Sequence, residues 1–293
     1  MNYHEQYDAY LARAKRALEE ACRRYLPAES QVCQAARYSL MGGGKRVRAV
    51  LVLSVCDMLG GDGAAAEQFA AAVEMLHCYS LIHDDLPCMD DDDLRRGRPS
   101  CHKAFGEATA LLAGDVLLTE AFEAATHACA APEVCLQAAQ ALSRGAGSRG
   151  MVYGQELDLK YEVLDTTESQ LMLIHHNKTG ALINAAVQMG AAAAGATEAQ
   201  REALEQYAYG LGLVFQIVDD VLDATATTEQ LGKPAGSDKD NGKTTFVTLY
   251  GPDGAMTLAQ QVNQDTCEAV HTAFGEKAAF LEQLAAAMLE RRS

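Results

Sequence analysis

The sequence of 293 residues has no tryptophan and few aromatic residues, which make up 6% of the chain. It also has no CxxC pair, because its nine cysteines are scattered singly along the chain. No apolar run reaches the 18 residues typical of a membrane-spanning helix, and the first residues do not resemble a signal peptide. We therefore expect no membrane span and a cytoplasmic protein with reduced thiols.

Positive charge is scarce as well, with 24 Lys and Arg residues against 40 Asp and Glu residues and a net charge of −16. Such a balance argues against nucleic acid or an anionic membrane as the partner. The cations nevertheless form two clusters, which leaves room for local anion-binding sites: Lys45, Arg46 and Arg48, and then Arg95, Arg96 and Arg98. The hydrophobic content of 49% excludes disorder and allows a large core.

Apolar residues recur every three to four positions along most of the chain, and we find no strand alternation, repeat or linker. Helices are predicted over residues 3–25, 31–41, 47–59, 64–84, 105–130, 134–153, 169–195 and 202–223. The run Val50–Leu53 also fits a buried strand, but the length of its segment and its helical neighbours favour a core helix. The pattern therefore predicts an all-α fold with a single domain, residues 1–293.

The densest charge lies in residues 77–102, where six carboxylates within ten residues precede three arginines: Asp84, Asp85, Asp90, Asp91, Asp92, Asp93, Arg95, Arg96 and Arg98. A solvated acidic loop explains most such runs, but this one begins directly after an apolar helix, which favours carboxylates aimed into a cavity. Pro87 ends the helix, so the chain can fold Asp90 back toward Asp84. Carboxylate oxygens suit Mg²⁺ shared with phosphate oxygens, and arginines bind phosphates bidentately. The segment therefore predicts a Mg²⁺-diphosphate site.

A second acidic cluster lies in the helix predicted over residues 202–223. Asp219 and Asp223 are four positions apart, so both carboxylates lie on one helix face and can bind one ion. An Asp pair in so apolar a helix is costly to bury without a counter-ion. A glycine-rich turn before Lys45 is a weaker indication of phosphate binding, because it lacks the spacing of a Walker loop.

These segments occur together in the order typical of one family. The matching motifs are Gly43-Gly44-Lys45-Arg46-Val47-Arg48, His83-Asp84-Asp85 through Arg98-Pro99, Gly114-Asp115, Gly154-Gln155, Lys178-Thr179-Gly180, Phe215 through Asp223, and Gly242-Lys243-Thr244-Thr245. On these residues the chain resembles the trans-isoprenyl diphosphate synthases, most closely the bacterial farnesyl diphosphate synthases. The resemblance spans about residues 40 to 250.

The resemblance implies a single large helical bundle around a deep central cavity, the class I isoprenoid synthase fold, normally as a homodimer. Two Asp-rich motifs would face each other across the cavity mouth and hold three Mg²⁺ ions, with Mn²⁺ as an alternative ion. By residue, Asp84 and Asp90 correspond to ligands of two ions and Asp219 to the ligand of the third.

The resemblance also assigns the substrate-binding residues. The allylic diphosphate would be bound by Arg95, Lys178 and Lys233, with Lys243 as a further candidate. The isopentenyl diphosphate would be bound by Gly44, Lys45, Arg48, His77 and Arg96. The catalytic set would be Lys178, Thr179 and Gln216, of which Thr179 and Gln216 face the developing allylic cation.

The function implied is Mg²⁺-dependent head-to-tail condensation of isopentenyl diphosphate with dimethylallyl or geranyl diphosphate to give farnesyl diphosphate. Tyr79, followed by Ser80, stands where the related synthases set chain length, and an aromatic residue there limits the product to fifteen carbons. A geranylgeranyl diphosphate synthase on the same scaffold is the alternative. A terpene cyclase would not need the second diphosphate site, a non-catalytic subunit usually lacks one Asp motif, and a Ca²⁺-binding protein would not pair its carboxylates with arginines.

Two positions depart from the family pattern. Ala49 stands where a proline is common after the basic cluster, which is expected to loosen that turn. Residues 246–250 lack the usual Tyr-Pro-containing run, so the cavity there is expected to differ. Neither departure removes a metal ligand or a diphosphate-binding cation.

Overall fold

The computed structural model describes residues 2–161, 166–225 and 243–291. The α-helices in these ranges are α1 Tyr3–Tyr25, α2 Gln31–Leu40, α3 Val47–Leu59, α4 Gly63–Asp84, α5 Cys101–Phe105, α6 Glu107–Thr126, α7 Pro132–Ala146, α8 Met151–Tyr161, α9 Glu168–His175, α10 Ala181–Ala193, α11 Glu198–Thr225, α12 Phe246–Phe274 and α13 Ala279–Leu289. A π-helix, His176–Gly180, joins α9 to α10, and a 3₁₀-helix, Gly275–Ala278, joins α12 to α13. The predicted all-α fold is confirmed.

The amphipathic spacing located most helices within a few residues, and two local signals explain the ends of α1. Its N-terminus is closed by a capping box in which Asn2 Oδ1 accepts from the Glu5 amide while Glu5 Oε2 accepts from the Asn2 amide. Pro27 follows shortly after its last residue, Tyr25. The helix predicted over residues 3–25 is therefore confirmed.

The single helix predicted over residues 134–153 is wrong. Helix α7 ends at Ala146 and α8 begins at Met151, with a glycine-containing turn between them. A β-carbon at Gly150 would lie 2.5 Å from the carbonyl oxygen of Arg144, so the turn needs a residue without a side chain. As a result Gly154 through Asp158 lie inside α8. The helix predicted over residues 105–130 corresponds to α6, and the short α5 before it was not predicted.

A β-hairpin that the sequence pattern did not predict follows α4. Strands β1 (Leu94–Arg95) and β2 (Arg98–Pro99) pair antiparallel, with Arg95 opposite Arg98. The two turn residues, Arg96 and Gly97, have φ of 55° and 73°, the left-handed backbone of a type I′ hairpin turn. Two-residue strands are too short to show alternation, which is why period-2 analysis missed them.

The described residues form two compact units: the first comprises those within 1–142 and 189–195, and the second comprises those within 143–188 and 196–293. In the first unit, α3 is buried on all sides from Ala49 to Cys56, which confirms a core helix in place of the strand alternative. In the second unit, α11 packs against α12 and α13. The single domain predicted for the whole chain stays a prediction.

No helix within residues 2–161, 166–225 and 243–291 combines the length and apolarity needed to cross a membrane.

Candidate active site

The chain folds back after α4, as the sequence predicted. Helix α4 ends at Asp84, three residues before Pro87, and the Asp90 amide donates to the Asp84 carbonyl oxygen at 2.8 Å. This backbone bond brings Asp84 and Asp90 together although a straight helix would separate them. Asp84 also stands at the C-terminal end of a helix, where the macrodipole favours a cation.

Asp85, the residue between them in the motif, has a different role. It is only 2% exposed, and Arg95 Nε donates to its Oδ1 at 2.9 Å. Burial raises the pKa of the Asp85 carboxyl, and the hydrogen bond from Arg95 opposes this. Arg95 also contacts Asp92 Oδ2 at 3.1 Å, so the arginine assigned to the allylic diphosphate is held by two carboxylates.

The glycine-rich turn meets the hairpin. Arg96 donates to the carbonyl oxygen of Gly43, and a β-carbon at Gly44 would lie 2.6 Å from the guanidinium carbon of Arg96. Gly44 also has a φ of 108°, which L side chains rarely adopt. Gly44 and Arg96, both predicted for the isopentenyl site and 52 positions apart in sequence, therefore lie against each other. Lys45 is exposed, and its carbonyl oxygen accepts from the Tyr7 hydroxyl at 2.6 Å.

Arg48 and His77 of this set are half-buried nearby. Burial, with the charge of Arg96 adding to it, lowers the pKa of the Arg48 guanidinium to about 10. Burial also lowers the pKa of His77 well below its ordinary value, and the charges of Arg48 and Arg96 act in the same direction. Arg48 Nε and His77 Nδ1 are buried without a hydrogen-bond partner among the described residues. Positive groups that disfavour one another's charge form a site suited to an anion.

Arg46, the remaining cation of the cluster that includes Lys45 and Arg48, forms a buried ion pair. Its Nη1 lies 3.1 Å from Glu74 Oε2, and the two side chains are 8% and 2% exposed. The other oxygen of Glu74 accepts from the Ala49 amide at 3.2 Å. Because a proline has no amide hydrogen, Ala49 supplies a bond that the common family residue cannot make. These contacts hold the turn at Ala49, whereas a loosened turn was predicted.

The predicted chain-length residues lie in the last two turns of α4. Tyr79 is 7% exposed, and its ring meets that of His83 edge to face at 5.6 Å. His83 itself lies against Gly114 of α6, where a β-carbon would overlap the imidazole. Ser80 is buried, and its hydroxyl donates to the His77 carbonyl oxygen.

In the second unit, two lysines converge on one carboxylate. Lys178 Nζ lies 2.5 Å from Asp158 Oδ2, and Lys243 Nζ lies 3.7 Å from the same oxygen. Burial raises the pKa of the Asp158 carboxyl, but the two ammonium groups outweigh it and hold the pKa below its ordinary value. Both ammonium groups are thereby held at one carboxylate, close to each other. The third predicted lysine, Lys233, lies outside the described residues.

The interruption predicted at Lys178-Thr179-Gly180 is a π-helix. Within it, Thr179 Oγ1 donates to Gln216 Oε1 of α11 at 2.7 Å, so two predicted catalytic residues are hydrogen-bonded. Gly154 of α8 allows this backbone to approach, because a β-carbon there would overlap the Lys178 main chain and lie 2.8 Å from the Asn177 carbonyl carbon. π-Helices are frequent at functional sites.

The second acidic cluster separates into distinct roles. Asp219 forms an ion pair with Arg291, whose guanidinium also lies over the Phe215 ring at 4.2 Å. Asp220 is buried and accepts from the Phe246 amide at 2.8 Å, which anchors the start of α12. Asp223 is 5% exposed, whereas the Asp219 side chain is 41% exposed. Asp219 is therefore the accessible carboxylate of the three, and it has a cation, Arg291, beside it.

Sequence reasoning missed the partners that hold these groups: Asp85 for Arg95, Asp158 for the lysines, Glu74 for Arg46 and Arg291 for Asp219. Asp158 had a signal, because it follows the Gly154-Gln155 motif by one helical turn. The other pairings join residues 10, 28 and 72 positions apart and had no local signal.

The carboxylates of each unit, taken separately, fit Mg²⁺. Asp84 and Asp90 in the first unit and Asp219 in the second offer carboxylate oxygens, the ligands that this ion prefers, and it takes one or two carboxylates together with phosphate and water. The guanidinium at Asp219 shows that this position attracts a cation, and Arg291 would have to leave before an ion could bind there.

Comparison with known proteins identifies the family of the chain. Residues 29–286 match the polyprenyl synthetase family. The chain is 43% identical over 287 residues to geranylgeranyl pyrophosphate synthase 11 of Arabidopsis thaliana, described as chloroplastic, covering 95% of this chain and 80% of the relative. It is 44% identical over 254 residues to the farnesyl diphosphate synthase of Micrococcus luteus, covering 87% of each.

The fold agrees with a solved structure of Helicobacter pylori geranyltransferase complexed with magnesium and isoprenyl diphosphate. The TM-score is 0.83 at 32% identity, covering 97% of this chain and 96% of that one. The match over most of the chain, with the relatives above 40% identity, shows the family. The chain is a prenyltransferase and belongs to the polyprenyl synthetase family, the trans-isoprenyl diphosphate synthases.

Proposed function

We propose that the protein is a farnesyl diphosphate synthase that condenses isopentenyl diphosphate with dimethylallyl or geranyl diphosphate. The observation that carries this proposal is the β-hairpin of the first unit. Its neighbouring residues Arg95 and Arg96 belong to two different environments: Arg95 contacts the carboxylates Asp85 and Asp92, whereas Arg96 contacts the glycine turn at Gly43. One hairpin thus contributes to an acidic site and to a cationic site. The reaction needs two such sites, because the allylic diphosphate leaves whereas the isopentenyl diphosphate stays bonded to its carbon chain.

The cationic site suits the isopentenyl diphosphate, which stays bonded to its carbon chain during the reaction. Arg48, His77 and Arg96 present positive or proton-donating groups, and Gly44 leaves room for an anion to approach the backbone. A diphosphate bound here would also restore favourable partners to Arg48 and His77. We assign this site to isopentenyl diphosphate, held so that its double bond can attack the allylic carbon.

The acidic positions suit the diphosphate that leaves. Mg²⁺ at Asp84, Asp90 and Asp219 would neutralise charge that develops as the allylic C–O bond breaks. Three ions, with Mn²⁺ as an alternative, belong to this proposal. Arg95 and Lys178 add fixed positive charge, as does Lys243, and their carboxylate partners hold them in place beforehand.

The remaining residues act on the allylic cation. Gln216 and Thr179 fix each other through their hydrogen bond, so their oxygens keep one orientation toward the positive charge. No strong side-chain base is needed, because a proton leaves a tertiary cation easily. The departing pyrophosphate is the proposed acceptor.

A product assay tests the proposal directly. Purified protein is incubated with Mg²⁺ and labelled isopentenyl and dimethylallyl diphosphates, and the prenyl alcohols are identified after phosphatase treatment. We expect farnesol as the main product. Absence of any labelled condensation product, from a folded protein with saturating Mg²⁺, would overturn the proposal.

A geranylgeranyl diphosphate synthase is the second candidate, supported by the 43% identity to the plant enzyme of that name. The same assay separates the two, because geranylgeraniol then replaces farnesol. Tyr79 favours the shorter product: its buried ring occupies space one to two turns below Asp84, where a longer prenyl chain would have to extend.

Replacement of Tyr79 by alanine should lengthen the product. The change removes a buried ring without touching Asp84 or any diphosphate-binding cation, so chain elongation should continue to C20 or beyond at the expense of C15. Phosphatase treatment followed by chromatography of the alcohols measures this. The control is Tyr79→Phe, which keeps the ring and should still give C15. A folded and active Tyr79→Ala enzyme that still stopped at C15 would show that another residue limits the chain.

The two diphosphate sites should separate by mutation. Arg96→Gln removes a cation that binds a phosphate that does not leave, so we expect KM for isopentenyl diphosphate to rise about tenfold or more with a smaller change in kcat. Lys178→Gln removes charge from the leaving diphosphate, so kcat should fall instead. Steady-state kinetics with each substrate varied in turn measures both. If Arg96→Gln weakened only allylic binding, our assignment would be reversed.

We propose that the protein forms a homodimer through α6 and α7. Leu111 and Leu112 of α6 are 47% and 51% exposed, and Leu136 of α7 is 58% exposed. Large apolar side chains with this exposure indicate a surface that a second copy covers. Light scattering coupled to size-exclusion chromatography should give twice the chain mass of 31.3 kDa. A monomer at micromolar concentration would contradict this.

The reducing compartment remains part of the proposal. All nine cysteines are free thiols, and burial raises the pKa of Cys78 to about 12 and that of Cys56 to about 11. Such thiols are unreactive and need no disulfide partner. We therefore propose the cytoplasm as the location.

A further inference from the structure

Three side chains next to the Asp84–Asp90 turn form a separate cluster that the prenyl transfer reaction does not use. Asp91 and Asp93 lie in the loop between that turn and β1, and Asp93 is the last residue before β1. His102 lies in α5. One ligand atom from each residue lies within 4.8 Å of the other two. The carboxylates are exposed and the imidazole is buried. We call these residues the 91–93–102 cluster.

His102 is the informative member of the cluster. The residue is 5% exposed, and its Nδ1 lies 3.1 Å from Ser100 Oγ, which fixes the ring. Its Nε2 is buried without a hydrogen-bond partner among the described residues and lies 3.8 Å from Asp91 Oδ1. A buried polar nitrogen without a partner is costly, so one held in place beside carboxylates indicates that something binds it.

The backbone holds the two carboxylates near this nitrogen. Asp91 has a left-handed φ of 50°, and its amide donates to the Leu86 carbonyl oxygen at 3.2 Å. The carbonyl oxygen of Asp93 accepts from the Ser100 amide at 2.9 Å, which ties the loop to the start of α5. A shift of about 1 Å in the exposed carboxylates would bring all three donors to the roughly 2.0–2.2 Å that a bound zinc ion requires.

We propose that the 91–93–102 cluster is an accessory Zn²⁺ site with ligands Asp91, Asp93 and His102 Nε2 and water in the remaining position. One imidazole and two carboxylates suit Zn²⁺, whereas Mg²⁺ prefers oxygen donors alone. The hydrogen bond at Nδ1 leaves Nε2 as the metal-binding nitrogen, the arrangement usual for histidine ligands. The site is distinct from the all-carboxylate positions at Asp84 and Asp90.

Lys103 competes for this site. Its Nζ lies 2.7 Å from Asp93 Oδ1, with the two side chains 42% and 74% exposed. Exposed ion pairs contribute little, so a metal ion can displace the lysine. Removing the lysine should therefore strengthen metal binding, whereas a purely structural role for Asp93 would predict no gain.

The test uses the full chain in a Cys88→Ser, Cys129→Ser background, because these two cysteines are exposed and thiols also bind Zn²⁺. Co²⁺ is titrated as a visible-absorbing substitute for Zn²⁺, without Mg²⁺ and without diphosphate, and Zn²⁺ affinity is measured by calorimetry. We expect one site, retained in Asp84→Asn. It should weaken at least tenfold in His102→Gln, Asp91→Asn and Asp93→Asn, and tighten severalfold in Lys103→Gln.

The two aspartate variants keep the test decisive if His102→Gln does not fold, because Asp91 and Asp93 are on the surface. Unchanged Co²⁺ and Zn²⁺ binding in Asp91→Asn and Asp93→Asn would overturn the proposal. So would a site lost in Asp84→Asn and kept in the cluster variants, since the ion would then bind at the Asp84–Asp90 turn. A background protein that binds no Co²⁺ would overturn it as well.

Discussion

Replacing Asp84 or Asp219 by asparagine is expected to lower kcat by about two to three orders of magnitude, the range found when a group that stabilises developing charge is removed. Each carboxylate is proposed to hold an ion against the leaving diphosphate, and an amide of the same shape lacks the charge. Because binding of the other substrate does not involve these residues, KM for isopentenyl diphosphate should change less. Steady-state kinetics over a range of Mg²⁺ concentrations measures the effect.

Asp91→Asn is the matched control for Asp84→Asn. Asp91 is adjacent to Asp90 and is also exposed, but its amide donates to the Leu86 carbonyl oxygen and its Oδ1 lies 3.8 Å from His102 Nε2. We expect prenyl transfer by Asp91→Asn to stay near that of the unaltered protein. EDTA should abolish turnover in every variant. Near-normal turnover in Asp219→Asn or in EDTA would contradict the metal assignment.

Gly154→Ala is expected to disable the enzyme through the backbone. A β-carbon at residue 154 would overlap the main chain of Lys178 and come within 2.8 Å of the Asn177 carbonyl carbon. Neither is the end of a flexible side chain, so α8 and the π-helix must move apart. A shift of about 1 Å in catalytic groups can cost about 10²-fold in rate. We expect a loss of that size in kcat, because Lys178 and Thr179 move together.

Overpacking of this kind also destabilises by about 1–3 kcal/mol, so the midpoint of thermal unfolding should fall by several degrees. Val152→Ala on the same helix is the control, because Val152 is 50% exposed and its truncation should leave both rate and unfolding near normal. An active Gly154→Ala enzyme with an unchanged unfolding midpoint would show that α8 does not position Lys178.

The sequence by itself determined the fold class, the family and the two acidic clusters. Helical periodicity is a local property, so α1 could be located from spacing alone. The α3 segment is apolar on all sides, and its length and helical neighbours identified it. The turn that brings Asp90 to Asp84 was predictable for the same reason, since Pro87 acts on the residues beside it. The prediction of one helix over residues 134–153 was wrong for a local reason as well, because hydrophobic periodicity does not detect the glycine turn between α7 and α8.

Only the tertiary structure decided which acidic and basic groups neutralise each other. Lys178 and Lys243 share Asp158, Arg95 is bound to Asp85, and Arg46 is bound to Glu74. No spacing rule pairs residues that lie on different helices, because their distance depends on how the helices pack. Whether a basic side chain is available to bind an anion depends on which carboxylates it contacts. Those contacts are known only once the helices are packed.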